Sequence, residues 1–198
     1  MTLKTEAFVN ALIENKYTHL CVVPCSFAKN IINEVINREN IEYLPAASEA
    51  VASSIAAGLK MAGARPIIIV QSSGLTNMGS CITSLLKPYN IKVPIIVSWR
   101  TYNKGDSEIQ HKHLATKLPE LINAYGYSYE ILNSEDITLA INQIKKCETN
   151  NQICILENKT FSEVSLLDEN MIDLTMYIER SKFLKLLNTR CKKKEILF

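Results

Sequence analysis

The sequence predicts an α/β fold, a three-layer α/β/α sandwich built on a six-stranded parallel sheet. Two observations predict it. Apolar runs of strand length alternate with segments of helical periodicity, the pattern of a parallel sheet covered on both faces. The order helix, strand, helix, strand also persists along the chain without an internal repeat, and it calls for right-handed crossovers between neighbouring strands.

Taken in order, the strands are expected near residues 19–23, 41–44, 67–71, 94–99, 128–132 and 152–157. Helices are expected near 6–15, 27–37, 49–61, 77–86, 114–125 and 136–147. Local chemistry marks their ends. Ser26, Ser48 and Ser134 precede helical patterns and can cap them, whereas Gly63 and Gly126 lie where helices should stop.

Size and composition bound the rest. The chain has 198 residues, a formal net charge of +2 and 47% hydrophobic residues, which suits a globular domain with a substantial core. Lys and Arg total 22 against 20 for Asp and Glu, so no sequence-wide field draws the chain to nucleic acid or an anionic membrane. The longest apolar run, Pro66 to Val70, falls far short of the roughly 20 residues of a membrane helix. Six cysteines form no CxxC pair and the N-terminus shows no charged-then-apolar leader, so a reducing cytoplasm is expected.

Open parallel sheets bind ligands beyond the carboxyl ends of their strands, and the unusual polar residues of this chain cluster there. Pro24-Cys25-Ser26 follows the first expected strand, Ser48-Glu49 the second, Gln71-Ser72-Ser73-Gly74 the third and Arg100-Thr101-Tyr102 the fourth. Glu49 stands out because Ala46, Ala47, Ala50, Val51 and Ala52 surround it and are expected to be buried. Burial of a carboxylate favours its protonated, proton-sharing form. A second reading is simple helix chemistry, since the macrodipole favours acids in a first turn. Glu49, Ala52, Ser53 and Ala56 share one helical face, where a flat ligand or another backbone can approach closely. The run Gln71 to Asn77 is expected as a glycine-containing, hydroxyl-rich loop whose N–H groups can meet a polar ligand, or as an ordinary turn. No GxxxxGK[ST] or GxGxxG is present. His111 and His113 have H-x-H spacing without further ligands at metal spacing, and Cys25 has no partnered base, so neither zinc nor a cysteine nucleophile is indicated.

These residues carry a resemblance. Val23-Pro24-Cys25-Ser26, Ala47-Ser48-Glu49-Ala50-Val51-Ala52 with Ala57-Gly58, and Gln71-Ser72-Ser73-Gly74-Leu75-Thr76-Asn77 with Thr83-Ser84-Leu85 resemble the pyrimidine-binding domain of thiamine-diphosphate-dependent decarboxylases. Ser98-Trp99-Arg100 and Gln110-His111 are similar to the phosphonopyruvate decarboxylases, and the sulfopyruvate decarboxylase α subunits show the next pattern. The resemblance spans about residues 8–161. It implies that Glu49 hydrogen-bonds the aminopyrimidine of thiamine diphosphate and favours the tautomer that activates the cofactor. It further implies that Gln71, Ser72, Ser73, Gly74 and Asn77 lie along the cofactor, and that Ser26, Arg100, Gln110 and His111 lie near the substrate. An Arg suits that task because its fork matches a phosphonate or sulfonate.

The chain departs from the phosphonopyruvate pattern at Cys25, at Ser72 and at Ser107-Glu108-Ile109. It also contains no GDG motif with a downstream Asn for Mg2+, so the resemblance implies a partner that brings the diphosphate and the metal. That partner is a diphosphate-binding subunit or C-terminal domain, in an assembly such as α2β2. Residues 1–170 then form the pyrimidine-binding domain. Residues 171–198 form a helical extension or the start of a diphosphate domain, with 178–184 resembling its opening helix and 196–198 its first strand. Arg190 to Lys194 is expected to be a solvated basic tail. Two rival readings remain at this stage, a carboligase component of the acetolactate type and a non-catalytic dimerisation domain.

Overall fold

The computed structural model describes residues 2–101 and 109–167, with residues 182 and 185. Its strands are β1 His19–Val22, β2 Glu42–Pro45, β3 Pro66–Gln71, β4 Ile95–Ser98, β5 Ser128–Ile131 and β6 Gln152–Leu156. They form one sheet in the order β2-β1-β3-β4-β6-β5, and every neighbouring pair is parallel. All six expected strands are present, and the fold class stands as expected.

The β3 sequence shows why the sheet sits in the middle. Its residues from Pro66 to Val70 are all buried, as a strand covered on both faces requires. Side chains alternate between faces, so Ile67 and Ile69 join Ile96, Cys154 and Leu156 in one core, while Ile68 and Val70 join Ile95, Val97, Ile153 and Ile155 in the other. Each fully buried Ile or Val contributes about 1.5–3 kcal/mol. The edges differ. The outer strands β2 and β5 are half-exposed, and Pro45, which offers no N–H, ends β2.

Helices α1 Thr5–Glu14, α2 Lys29–Ile36 and α8 Ile137–Thr149 cover the first face through residues such as Phe8, Ile31 and Ile144. Helix α3 Glu49–Met61 covers the second with Ala52, Ala56 and Ala57, beside α4 Ser72–Asn77, α5 Gly79–Cys81 and a π turn Ile82–Leu86. Helices α6 Lys112–Ala115 and α7 Leu118–Ala124 complete that layer.

Several local expectations are corrected. The run Gln71 to Asn77 is no loop, because β3 passes from an extended Gln71 straight into α4. The helix expected at 114–125 is divided into α6 and α7, with Pro119 in the first turn of α7, where its missing N–H costs nothing. Ser48 caps α3 by accepting from Val51 N, but Asp136 rather than Ser134 caps α8, and Ser26 makes no cap. Gly63 and Gly126 do follow α3 and α7, with φ of +88° and +71°, the left-handed conformation that glycine adopts without strain. Of the neighbours of Glu49 expected to be buried only Ala52 is: Ala46 and Ala50 are half-buried, Ala47 is exposed ahead of the cap Ser48, and Val51 is exposed on the outer face of α3, away from Ala52 and Ser53.

This fold belongs to one unit, Met1–Leu166, and Leu167–Phe198 is a second. The segments expected at 178–184, apart from 182, and at 190–194 and 196–198 lie outside the described residues, as does 102–108. Among the described residues no helix is long and apolar enough to cross a membrane.

The amino ends of the strands are tied by an ionic cluster. Glu148 of α8 accepts from Lys60 Nζ at 3.1 Å, from Tyr17 Oη at 3.1 Å and from the Arg65 guanidinium, and Arg65 also lies 4.4 Å over the Tyr17 ring. Burial alone would raise the Glu148 pKa, but the hydrogen bonds from Arg65 and Lys60 outweigh it and hold the carboxyl below its ordinary range. A depressed folded-state pKa contributes stability that is present above the unfolded value of about 4.3 and is lost as pH falls through the folded value. Glu148→Gln should therefore lower the unfolding free energy by about 2 kcal/mol at pH 7. Urea titrations of both proteins at pH 7 and below pH 4 should show the difference shrinking in acid.

Candidate active site

Glu49 is the first residue of α3, directly after its cap Ser48, and is 8% exposed. Its backbone carbonyl accepts from Ser53 Oγ at 2.9 Å, and its carboxylate Oε2 accepts from Asn77 Nδ2 at 3.0 Å. Asn77 ends α4, so the chain reversal from β3 into α4 brings this donor back to the start of α3. No Lys, Arg or His pairs with Glu49 among the described residues. A buried carboxylate held by a neutral amide is a poor structural staple and retains capacity for a second donor.

Gly74 makes this placement possible. A Cβ on Gly74 would lie 2.5 Å from the Glu49 Cδ, so α4 approaches the carboxylate by backbone alone. Beside it Ser72 is 1% exposed and its Oγ has no hydrogen-bond partner, which buried hydroxyls seldom lack. Ser73 is half-buried and its carbonyl accepts from Thr76 Oγ1, and Gln71 ends β3 opposite Ser98 of β4. Glu49 thus meets both Gly74 and Asn77. Sequence reasoning placed Asn77 beside a ligand but missed its bond to Glu49, since nothing in the spacing shows that α4 starts at Ser72.

A second polar cluster lies at the ends of β1 and β4. Ser26 occupies a 3-10 turn, Ser26–Ala28, and its Oγ accepts from Arg100 Nη1 at 2.7 Å. The guanidinium lies 4.7 Å over the Phe27 ring, a cation–π contact. Among the described residues its Nε has no partner although it is buried, and the same holds for Thr101 Oγ1. Ser98, fully buried at the end of β4, shares a 3.3 Å contact with Cys25 Sγ. Phe27 escaped sequence reasoning as a neighbour of this cluster, as did the contact between Cys25 and Ser98, although the sequence places both residues at strand ends. Ser98 left a signal, a polar residue ending the apolar run of β4. His111 is buried in the 3-10 turn Ile109–His111, ahead of α6, whereas Gln110 is exposed. Among the described residues no group of three or more His, Cys, Asp or Glu can hold a metal.

The family model described as "Thiamine pyrophosphate enzyme, N-terminal TPP binding domain" matches residues 3–122. The chain belongs to this family. Within it, the chain is 38% identical over 115 residues to phosphonopyruvate decarboxylase of Streptomyces viridochromogenes, covering 58% of this chain and 29% of that protein. It is 36% identical over 94 residues to the sulfopyruvate decarboxylase subunit alpha of Methanocaldococcus jannaschii, covering 48% of this chain and 56% of the relative. Benzoylformate decarboxylase of Polynucleobacter necessarius shares the fold, with a TM-score of 0.53 at 15% identity over 85% of this chain and 32% of that one. The match therefore spans less than a third of the first relative and about half of the second.

As a member of the thiamine pyrophosphate enzyme family, the chain has residues that fit the cofactor's pyrimidine. Ser72 Oγ is an orphaned buried hydroxyl, Gly74 leaves a surface without a side chain, and Glu49 can share a proton with a ring nitrogen. Gly74→Ala should displace the Glu49 carboxylate and cost about 1–3 kcal/mol, as overpacking does. In a Glu49→Ala background the same change should cost much less. Denaturant unfolding of the two single variants and the double variant reads that coupling directly.

Proposed function

We propose that this chain is the pyrimidine-binding component of a thiamine-diphosphate-dependent decarboxylase acting on a 2-oxo acid with an anionic group at C3. The reading with most support is phosphonopyruvate, giving phosphonoacetaldehyde and CO2. A sulfopyruvate decarboxylase α subunit is the alternative, supported by relatives that carry that name over about half their length. One observation carries the proposal: Glu49 is buried at the carboxyl edge of the sheet, held by Asn77 and packed on Gly74, with no cation among the described residues to neutralise it.

Bound thiamine diphosphate supplies the carbon nucleophile and the electron sink for the departing carboxylate. Glu49 holds and exchanges a proton at the pyrimidine ring nitrogen, a role suited to a carboxyl screened from water. Asn77 occupies one carboxylate oxygen and so orients the other. Gln71, Ser72 and Ser73 line the same edge with polar groups, and Ser72 Oγ is free to meet the ring. Arg100 and Ser26, with Gln110 and His111 beyond the segment 102–108, face the anionic end of the substrate.

The diphosphate and Mg2+ are assigned to a partner, a diphosphate-binding subunit or C-terminal domain, in a hetero-oligomer such as α2β2. The setting proposed is cytoplasmic, from the cysteine pattern. Glu49→Gln should abolish CO2 release when the chain is combined with its diphosphate-binding partner, thiamine diphosphate, Mg2+ and phosphonopyruvate or sulfopyruvate. Near wild-type release would remove Glu49 from the reaction, and release from neither acid by the unaltered pair would remove the substrate class.

A further inference from the structure

A groove of about 500 Å3 opens at the carboxyl end of the sheet and is lined by Ser26, Phe27, Asn30, Lys159 and Ser162, with Glu163 at its exposed side. Two of its polar residues are committed to the backbone. Asn30 donates to the Phe161 carbonyl and accepts from Val164 N, and Ser162 Oγ accepts from Thr5 N. Ser26 Oγ accepts from Arg100, which leaves the hydroxyl proton available to a ligand. Arg100 touches two residues of this lining, bonding Ser26 and lying 4.7 Å over the Phe27 ring, and its Nε is a buried donor without a partner among the described residues.

Lys159 lies across this groove. Its side chain is exposed and makes no ion pair among the described residues, although Glu163 lines the same groove. Its backbone has φ of +60°, the left-handed conformation in which a lysine is strained and a glycine is not. A strained position that bears a cation, in the same groove as the Ser26 and Phe27 that Arg100 contacts, is costly for folding alone.

We infer that the groove between Arg100 and Lys159 is an anion subsite, in which Lys159 provides the second cation for the phosphonate or sulfonate tail of the substrate. The inference rests on the decarboxylase reading for the identity of the acid, but the anion site is testable without turnover. Arg100 offers its fork and Ser26 its hydroxyl from one wall, and the Lys159 ammonium closes on a further oxygen from the other. Glu163 at the rim disfavours anions that are not held between both cations.

The test uses the chain by itself, titrated with phosphonoacetate and, separately, sulfoacetate, which carry the two tails without the reacting ketone. Isothermal titration and the 15N shifts of Lys159 and Ser26 report binding. Lys159→Gly should weaken both analogues about tenfold, as loss of a charge-assisted hydrogen bond does, while the melting temperature stays level or rises because glycine relieves the backbone. Lys159→Arg should restore most of the affinity. Unchanged affinity in Lys159→Gly, with loss in Arg100→Ala, would overturn the role of Lys159 and leave the Arg100 reading intact. Absence of binding by the unaltered chain would overturn the subsite, whereas the decarboxylase reading stands or falls on CO2 release. Tight binding of one analogue alone assigns the tail to that acid and upholds the site.

Discussion

The close approach of the Gly74 backbone to the Glu49 carboxylate is the constraint on which the site depends. It requires β3 to run into α4 without a loop, so that Gly74 falls in the first turn of α4 and Asn77 returns to the start of α3. It requires Ser48 as cap, because α3 must begin at Glu49 for the side chain to lie beside α4. It also requires the small residues Ala52, Ser53 and Ala56, which let α3 sit close against β1 and β3. A carboxylate held this way is excluded from solvent yet lacks a counter-ion, which suits proton exchange better than structural pairing.

The ionic chemistry of the molecule is divided between the two ends of the sheet. At the amino ends, Glu148 collects Arg65, Lys60 and Tyr17 into a compensated cluster that ties α8 to the segments before β1 and β3. At the carboxyl ends the polar groups are left partly unsatisfied. Ser72 Oγ, Arg100 Nε and Thr101 Oγ1 are buried without partners among the described residues, and all three follow β3 or β4, the central strands. Buried polar atoms without partners are costly, so their concentration at one edge supports the ligand site proposed there.

Much of this was legible beforehand. The strands were visible because each central strand is apolar throughout, as Pro66 to Val70 is, and few other structures need such runs. Glu49 was visible because an acid among alanines is unusual, although the helix-dipole reading was equally consistent with the spacing. The start of α4 was not legible, since Ser, Gly, Thr and Asn favour turns, and only packing against Glu49 and β4 holds them helical. Nor was the exposure of Val51, because apolar identity alone does not say which face of a helix meets the core.

By itself, then, the sequence determined the layered parallel architecture and the family to which the chain belongs, because periodicity and local motif are properties of neighbouring residues. Only the tertiary structure decided that Asn77 holds Glu49, that Gly74 must lack a side chain, and that Ser26, bonded by Arg100, and Lys159 line one groove. Those pairings join residues far apart in the chain, and their distances are set by the register of the strands that carry them.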